Sequence, residues 1–316
     1  MSTEGPLRPA GVGVAASRSL LFVPGHRSDQ FDKAARSGAD LVVCDLEDAV
    51  ASEDKTAARS EVVRWLRAGG TASVRVNSAT SPWFEADLAA LRAAPGLSAV
   101  MIPKSEDAEV LTEVARDLGA GIPLVALVES AVGVQSAYDI ARAAGVVRLA
   151  FGSIDFALDI DAVEEDRSLL YARSVLITAS RAAGIAGPID GVTTALDDVE
   201  AVQADALAAY HLGFTGKLCV HPRQVAHVNE AFSPTAEDVR RARHLIDSGA
   251  DGRAARIDGR MVDKPVLERA RRVLERALLF SGGTERAVSA PARTTDRDPR
   301  GPRLTGPDSA QAEATT

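Results

Sequence analysis

The sequence predicts an α/β chain: a (β/α)8 TIM barrel followed by a C-terminal helical lid extension. Three observations carry this. Eight short apolar runs alternate with amphipathic stretches, with crossovers of about 30 residues. The runs are continuously apolar, as parallel strands buried on both faces require. Glycines at 38, 69, 119, 145, 184 and 213 each follow a helical stretch, where a left-handed residue ends a helix.

The strand-like runs cover 19–23, 41–44, 72–76, 99–102, 123–128, 146–151, 188–189 and 217–220. Between them, 53–68 puts Ala57, Val62, Trp65 and Leu66 on one helical side, and 110–118 and 196–212 behave similarly. An open doubly wound sheet would need a glycine-rich phosphate loop after an early strand, and Val23-Pro24-Gly25-His26-Arg27 is not G-x-G-x-x-G. Beyond the eighth unit, Thr235 and Asp238 form a capping-box pattern opening a helix to about Asp247. Gly249-Ala250-Asp251-Gly252 breaks the chain, 257–262 reads as a hairpin or loop, and 264–280 is a second helix. A barrel does not need this segment; a lid or an oligomer contact does.

Composition sets the class. The 316 residues are 46% hydrophobic and 25% charged, ordinary for a globular protein, but only 4% aromatic, so the core is built from Ala, Val, Leu and Ile. No apolar stretch approaches the roughly 18–20 residues of a membrane span, and the first residues lack a signal-peptide layout, so a cytoplasmic protein is expected. Two cysteines exclude a disulfide scaffold and a cysteine-based structural zinc site. The net charge of −8 falls wholly on 18–280, since Glu4 balances Arg8 and the last 36 residues carry five Arg against five acids. An acidic body without a basic run is a poor footprint for nucleic acid. Residues 1–17 and 281–316 have too little apolar surface to order and are expected to be disordered. The barrel then covers 18–232, and the lid and oligomer-contact segment 233–280.

Catalytic groups of such barrels sit where strands end. Here the ends read Asp45-Leu46-Glu47-Asp48, Arg75-Val76-Asn77, Pro103-Lys104, Glu129-Ser130, Gly152-Ser153-Ile154-Asp155, Asp190-Gly191 and His221-Pro222. Glu129 and Asp155 would end adjacent strands; two carboxylates without a nearby histidine suit a hard cation such as Mg2+, or Mn2+ in its place, that keeps waters or substrate oxygens. A structural salt bridge with Arg75 is the bland alternative. Arg75 could present a fork to a carboxylate or thioester oxygen, or pair with Glu47 or Asp48. Lys104 invites a Schiff-base reading, which a metal site makes redundant. His221, ahead of Pro222, fits a strand-exit turn better than catalysis. His26, His211, His227 and His244 read as surface or core residues, and Cys44 and Cys219 as inert small hydrophobes.

Taken in order, Arg18-Ser-Leu-Leu-Phe-Val-Pro-Gly25, Asp45-Leu-Glu-Asp-Ala-Val50, Val74-Arg-Val-Asn77, Met101-Ile-Pro-Lys104, Ala126-Leu-Val-Glu129, Phe151-Gly-Ser-Ile-Asp155, Asp190-Gly191 and 213–225 resemble the citrate lyase β-subunit type of the HpcH/HpaI aldolase superfamily. The resemblance spans about residues 18–280. It implies a Mg2+-dependent barrel enzyme that makes or breaks a C–C bond beside a coenzyme A (CoA) thioester, giving an acyl-CoA and a 2-keto acid. It implies Glu129 and Asp155 as metal ligands and Arg75 in the substrate pocket, with Glu47 and Asp48 bracing Arg75 and metal-bound water. Backbone amides near Gly152 and Ser153 would hold the keto acid's carboxylate. The stretch from Arg18 through Pro24 to Arg27 would lie near the CoA phosphates. Asp258-Gly-Arg-Met-Val-Asp263 resembles a lid motif whose last Asp, here Asp263, serves a neighbouring subunit as acid/base, in a homotrimer or dimer of trimers. The competing functions are a malyl-CoA thioesterase, a free-acid aldolase and a carrier-dependent citrate lyase subunit; the Asp258 to Asp263 lid argues against the last two.

Overall fold

Eight parallel strands close into a barrel: β1 (Ser19–Pro24), β2 (Leu41–Asp45), β3 (Ala72–Arg75), β4 (Leu97–Ile102), β5 (Leu124–Val128), β6 (Val146–Phe151), β7 (Ile189–Asp190) and β8 (Gly216–Cys219). Each pairs with its successor, and β1 meets β8 with Leu20 opposite Leu218. The computed structural model describes residues 13–119, 121–249, 255–257 and 260–280. The tail 281–316, residues 1–12, and Asp258 and Gly259 of the lid motif lie outside the described residues. The helices around the barrel are α1 (Ser28–Ala35), α2 (Lys55–Arg67), α3 (Phe84–Leu91), α4 (Ala108–Leu118), α5 (Ala131–Gln135), α6 (Ala137–Arg142), α7 (Ser153–Asp159), α8 (Asp166–Ala183), α9 (Val199–Leu212) and α10 (Pro222–Ala231). This is the predicted (β/α)8 architecture. No described helix is long and apolar enough to cross a membrane.

The strands are apolar on both faces because both are buried. Leu20, Leu41, Val43, Ala99, Met101, Val125, Leu127 and Leu218 fill the interior. Their neighbours Leu21, Val42, Cys44, Val100, Ala126 and Val128 point outward into the layer between strands and helices. The period of two sends alternate residues to the two cores. All six glycines expected beyond helix ends have positive φ, from 75° at Gly184 to 122° at Gly213. On α2 the buried face is Ala58, Val62, Val63 and Leu66. Ala57, expected there, is exposed: the i, i+4 spacing of 58, 62 and 66 defines the stripe.

After the barrel come α11 (Ala236–Ser248), the antiparallel pair β9 (Ala255–Ile257) and β10 (Arg260–Val262), and α12 (Lys264–Phe280). Thr235 caps α11 in the predicted box: its hydroxyl accepts from Asp238 N–H, and its own N–H donates to Asp238. The last residue of α12, Phe280, has its ring 3.8 Å from the Arg18 guanidinium.

The barrel's lower end corrects the expected boundary of order. Residues 13–17 are placed beneath the strands, with Val14 and Ser17 buried. Arg148, an inward residue of β6, holds them there. Its guanidinium donates to Val14 O (3.0 Å), Ser17 O (2.6 Å), Gly187 O (2.7 Å) and Thr215 Oγ1 (2.8 Å). Burial pulls its pKa down to about 9, so it stays protonated at neutral pH. A cation 131 residues further along the chain thus holds this segment's carbonyls, while Val14 joins the interior core. Replacing Arg148 with Met should leave buried carbonyls without a donor and cost about 3 kcal/mol. The expected drop in melting temperature is about 6–12 °C. A thermal melt checks this, and an unchanged midpoint would show that Arg148 does not hold the segment.

Candidate active site

A cavity of about 410 Å3 opens at the C-terminal ends of the strands. Phe22, Leu127, Phe151, Val192 and Leu218 form its apolar wall; Asp45, Asp48, Arg75, Glu129 and Asp155 form its polar one.

Arg75 ends β3 directly opposite Asp45, the last residue of β2, in the strand register. Its Nε and Nη2 each lie 2.7 Å from an Asp45 oxygen, in a bidentate pair. Nη1 lies 3.2 Å from Asp48 Oδ2 and 3.1 Å from Glu47 Oε2, and the guanidinium stacks 4.9 Å from the Phe22 ring centre. Burial works against its charge, but Asp45, Glu47 and Asp48 together hold its pKa above the ordinary value. Asp45 stands in the strand-end motif of the sequence, where only Glu47 and Asp48 are read as partners of Arg75; the structure makes it the main partner. It also accepts from the N–H groups of Glu47 (2.9 Å) and Ala49 (3.1 Å), so it organises the loop carrying the other two acids. Its place beside Arg75 at neighbouring strand ends was the available signal. Behind the loop, Lys55 donates to the carbonyls of Leu46 (2.8 Å) and Glu47 (2.6 Å).

Glu129 follows β5 and is buried, its Oε1 accepting from Lys104 N–H at 2.7 Å. Burial and the nearby Glu47 charge push its carboxyl up to about 8. Burial likewise pushes Glu47 up to about 7, and its Oε2 has no hydrogen bond although Arg75 Nη1 is close. Asp155 lies in the first turn of α7, close enough for its charge to raise Glu129 further. Lys104 has φ 49°. A left-handed non-glycine residue costs roughly 1–2 kcal/mol. Its ammonium is 3.4 Å from Glu47 Oε1. Burial opposes the lysine's charge, but Glu47, Asp48 and Glu129 raise its pKa overall, which makes it a poor Schiff-base amine.

These residues fit a divalent cation. With every group ionised, Asp45, Glu47, Asp48, Glu129 and Asp155 would set five negative charges against the three positive ones of Arg75, Lys104 and Lys55, leaving −2. Buried carboxylates with a surplus of charge either take up protons or bind a cation. Among the described residues no three acids, histidines or cysteines converge as a closed metal cage. Glu129 and Asp155 would therefore supply two oxygen ligands, leaving the remaining positions to water or substrate, as Mg2+ favours.

Three expectations are corrected. Arg18 precedes β1 and so sits at the barrel's opposite end. It is paired with Asp40 at 2.8 Å and donates to Ser233 Oγ at 2.6 Å, out of reach of a ligand at the mouth. Gly152 N–H donates to Val128 O at 3.0 Å and is not available to a substrate carboxylate; the first-turn amide of Ser153 is the remaining candidate. Asp190 faces outward, not into the mouth, bound to Arg173 (3.0 Å) and Lys217 (3.1 Å). Pro24 does line the cavity, and Arg27 follows it, exposed and paired with Asp29 at 2.9 Å. Ser153 Oγ donates to Glu164 at 2.7 Å. His221 caps α10, accepting from Arg223 N–H. Burial pushes Cys219 up to about 12 and Cys44 higher still, which makes both thiols inert. Asp263 is not among the residues lining its own chain's cavity; its carboxylate accepts from Val266 N–H (3.3 Å) at the start of α12.

The HpcH/HpaI aldolase/citrate lyase family model matches residues 18–222. The chain belongs to that family. A citrate lyase subunit beta-like protein of Deinococcus radiodurans is 40% identical over 278 residues, covering 82% of this chain and 97% of that one. A (3S)-malyl-CoA thioesterase of Cereibacter sphaeroides is 31% identical over 271 residues, covering 82% and 94%. The crystal structure of protein CitE from Mycobacterium tuberculosis, in complex with magnesium, acetoacetate and coenzyme A, matches with a TM-score of 0.74 at 33% identity, covering 84% of this chain and 99% of that one.

Gly152 packs closely against Glu129. A Cβ there would meet both Cβ and Oε2 of Glu129 at 2.5 Å. Gly152→Ala should therefore displace Glu129 and weaken Mg2+ binding by about tenfold or more, the scale of disturbing a ligand's support. Calorimetric titration with Mg2+ measures it; native affinity would mean that Glu129 is not a ligand.

Proposed function

We propose that the chain is a Mg2+-dependent carbon–carbon lyase that cleaves a 3-hydroxyacyl-CoA thioester of the malyl-, citramalyl- or citryl-CoA kind into acetyl-CoA, or a related acyl-CoA, and a 2-keto acid. The observation that carries it is the pair Glu129 and Asp155 beside the half-buried, acid-braced Arg75 in one cavity. The relatives' names and the magnesium, acetoacetate and coenzyme A of the matched structure support the same chemistry.

Bound Mg2+ would supply Lewis-acid stabilisation of the keto acid's oxygens. Arg75 opposes the negative charge that develops on the acyl-CoA enolate as the C–C bond breaks. Asp45, Glu47 and Asp48 keep the guanidinium oriented for that task. The substrate's carboxylate is assigned to the first-turn amides from Ser153. Pro24 and Arg27 flank the route for CoA, with the apolar wall excluding water from the enolate. As the C–C bond breaks, the substrate hydroxyl becomes the keto acid's carbonyl and gives its proton to solvent; Asp263, from a neighbouring subunit of a homotrimer or dimer of trimers, protonates the enolate carbon, or removes that proton in the condensation direction. Its absence from its own chain's cavity supports service to a neighbour. We assign the enzyme to the cytoplasm.

The second reading, favoured by the related malyl-CoA thioesterase, is hydrolysis of the thioester. The two differ in products: cleavage gives keto acid and acyl-CoA, hydrolysis gives free CoA and a hydroxy acid. Incubating the protein and Mg2+ with malyl-, citramalyl- and citryl-CoA should give keto acid from one of them. Glu129→Gln, Asp155→Asn or EDTA should each abolish it. Free CoA without keto acid would make the enzyme a thioesterase. Activity on a carrier-bound thioester alone would make it a citrate lyase subunit.

Asp263→Asn should lower turnover about 100-fold, the scale of losing a positioned acid/base, and leave substrate binding intact. Mixing it with Glu129→Gln protein should restore activity, because mixed oligomers contain sites with an intact centre and an intact lid. Absence of rescue, with lowered stability alone, would reduce Asp263 to the cap of α12.

A further inference from the structure

We propose that Lys104 is a positioning residue that holds Glu47 and Glu129 apart: its backbone amide fixes one carboxylate and its ammonium the other, so the cation position beside Glu129 stays open to the keto acid. The inference rests on Glu129 and Asp155 being the cation's ligands.

Lys104 is one of two described non-glycine residues with positive φ, the other being Asp161. It forms the turn that leaves β4. Ser105 pins that turn to two strands, donating from N–H to Leu127 O (3.0 Å) and from its hydroxyl to Ile102 O (2.8 Å). In this conformation the Lys104 N–H lies 2.7 Å from Glu129 Oε1. Glycine would present the same N–H without strain. What lysine adds is an ammonium 3.4 Å from Glu47 Oε1. Glu47's other oxygen is 3.1 Å from Arg75 Nη1, so this carboxylate is stretched between two cations.

Without the ammonium, Glu47 would keep only a guanidinium already shared with Asp45 and Asp48. A dication beside Glu129 would then draw Glu47 inward as a third carboxylate ligand. The cation would bind more tightly, and the substrate would lose a coordination position. A strained lysine therefore stands where an unstrained glycine would suffice for the backbone.

The test is calorimetric titration of metal-free native protein, Lys104→Gly, Lys104→Gln and Lys104→Arg with Mg2+, then with oxalate at saturating Mg2+ as a probe for the 2-keto acid. The glycine and glutamine variants should bind Mg2+ about fivefold more tightly, the scale of removing one charge a few ångströms away, and oxalate correspondingly more weakly. Lys104→Arg should return both affinities to within about twofold of native, because the charge is retained. The melting temperature of metal-free Lys104→Gly should not fall below native, which separates the effect from misfolding. Mg2+ affinity unchanged or weakened in the glycine and glutamine variants, or arginine behaving like glutamine, would overturn the proposal while leaving the cation reading intact. No Mg2+ binding to native protein would overturn both.

Discussion

One guanidinium shared by three carboxylates organises the mouth of this barrel. Arg75 and Asp45 meet because strand pairing puts them side by side, and their bidentate contact holds the end of β3 to the end of β2. Asp45 then sets the loop that carries Glu47 and Asp48. Three acids around one cation overcompensate it. With Glu129 and Asp155 added, the cavity wall holds more negative charge than its own cations balance. Two of these carboxyls are pushed towards neutrality, Glu47 to about 7 and Glu129 to about 8. The site is thus incomplete as an electrostatic object. A dication held by Glu129 and Asp155 would complete it.

The two ends of the barrel solve different problems. At the lower end, Arg148 is bonded to three carbonyls and the Thr215 hydroxyl, and Arg18 to Asp40 and the Ser233 hydroxyl. At the upper end, polar groups are left under-satisfied: Glu47 Oε2 has no hydrogen bond, and Lys104 sits in a left-handed conformation. Strain and an unsatisfied polar atom at such a place persist only where the surrounding scaffold supplies the stability to keep them there. The closed sheet does so here, because Asp45, Glu47, Arg75, Lys104, Glu129 and Asp155 each lie within a few residues of a barrel strand buried on both faces.

Much of this was legible in the sequence. Continuous apolar runs identify strands whatever the partner, and glycine at a helix end has a single backbone meaning, so the eight strands and the helix ends follow from local patterns. The strand-end acids were legible as a set because a barrel gathers strand ends. Other features depend on contacts that pattern does not carry. Residues 13–17 look disorderable alone and are held by Arg148, far along the chain. Arg18 was assigned with the whole stretch to Arg27, yet a residue before a strand and one after it lie at opposite ends of a barrel. Gly152 and Asp190 stand at strand ends, but hydrogen-bond partners decide their roles. The Gly152 amide is taken by Val128, and Asp190 turns outward to Arg173 and Lys217.

The central claim is that Glu129 and Asp155 at the mouth form the seat of one divalent cation. Titrating metal-free protein with Mg2+ in buffers of different ionisation enthalpy tests it most directly, since the heat reports both occupancy and protons released. With Glu129 near 8 in the metal-free protein, its carboxyl is largely protonated at pH 7 and ionised at pH 9. The account predicts one Mg2+ per chain, with proton release at pH 7 that nearly disappears at pH 9. No saturable binding, or binding with no proton release at pH 7, would contradict it.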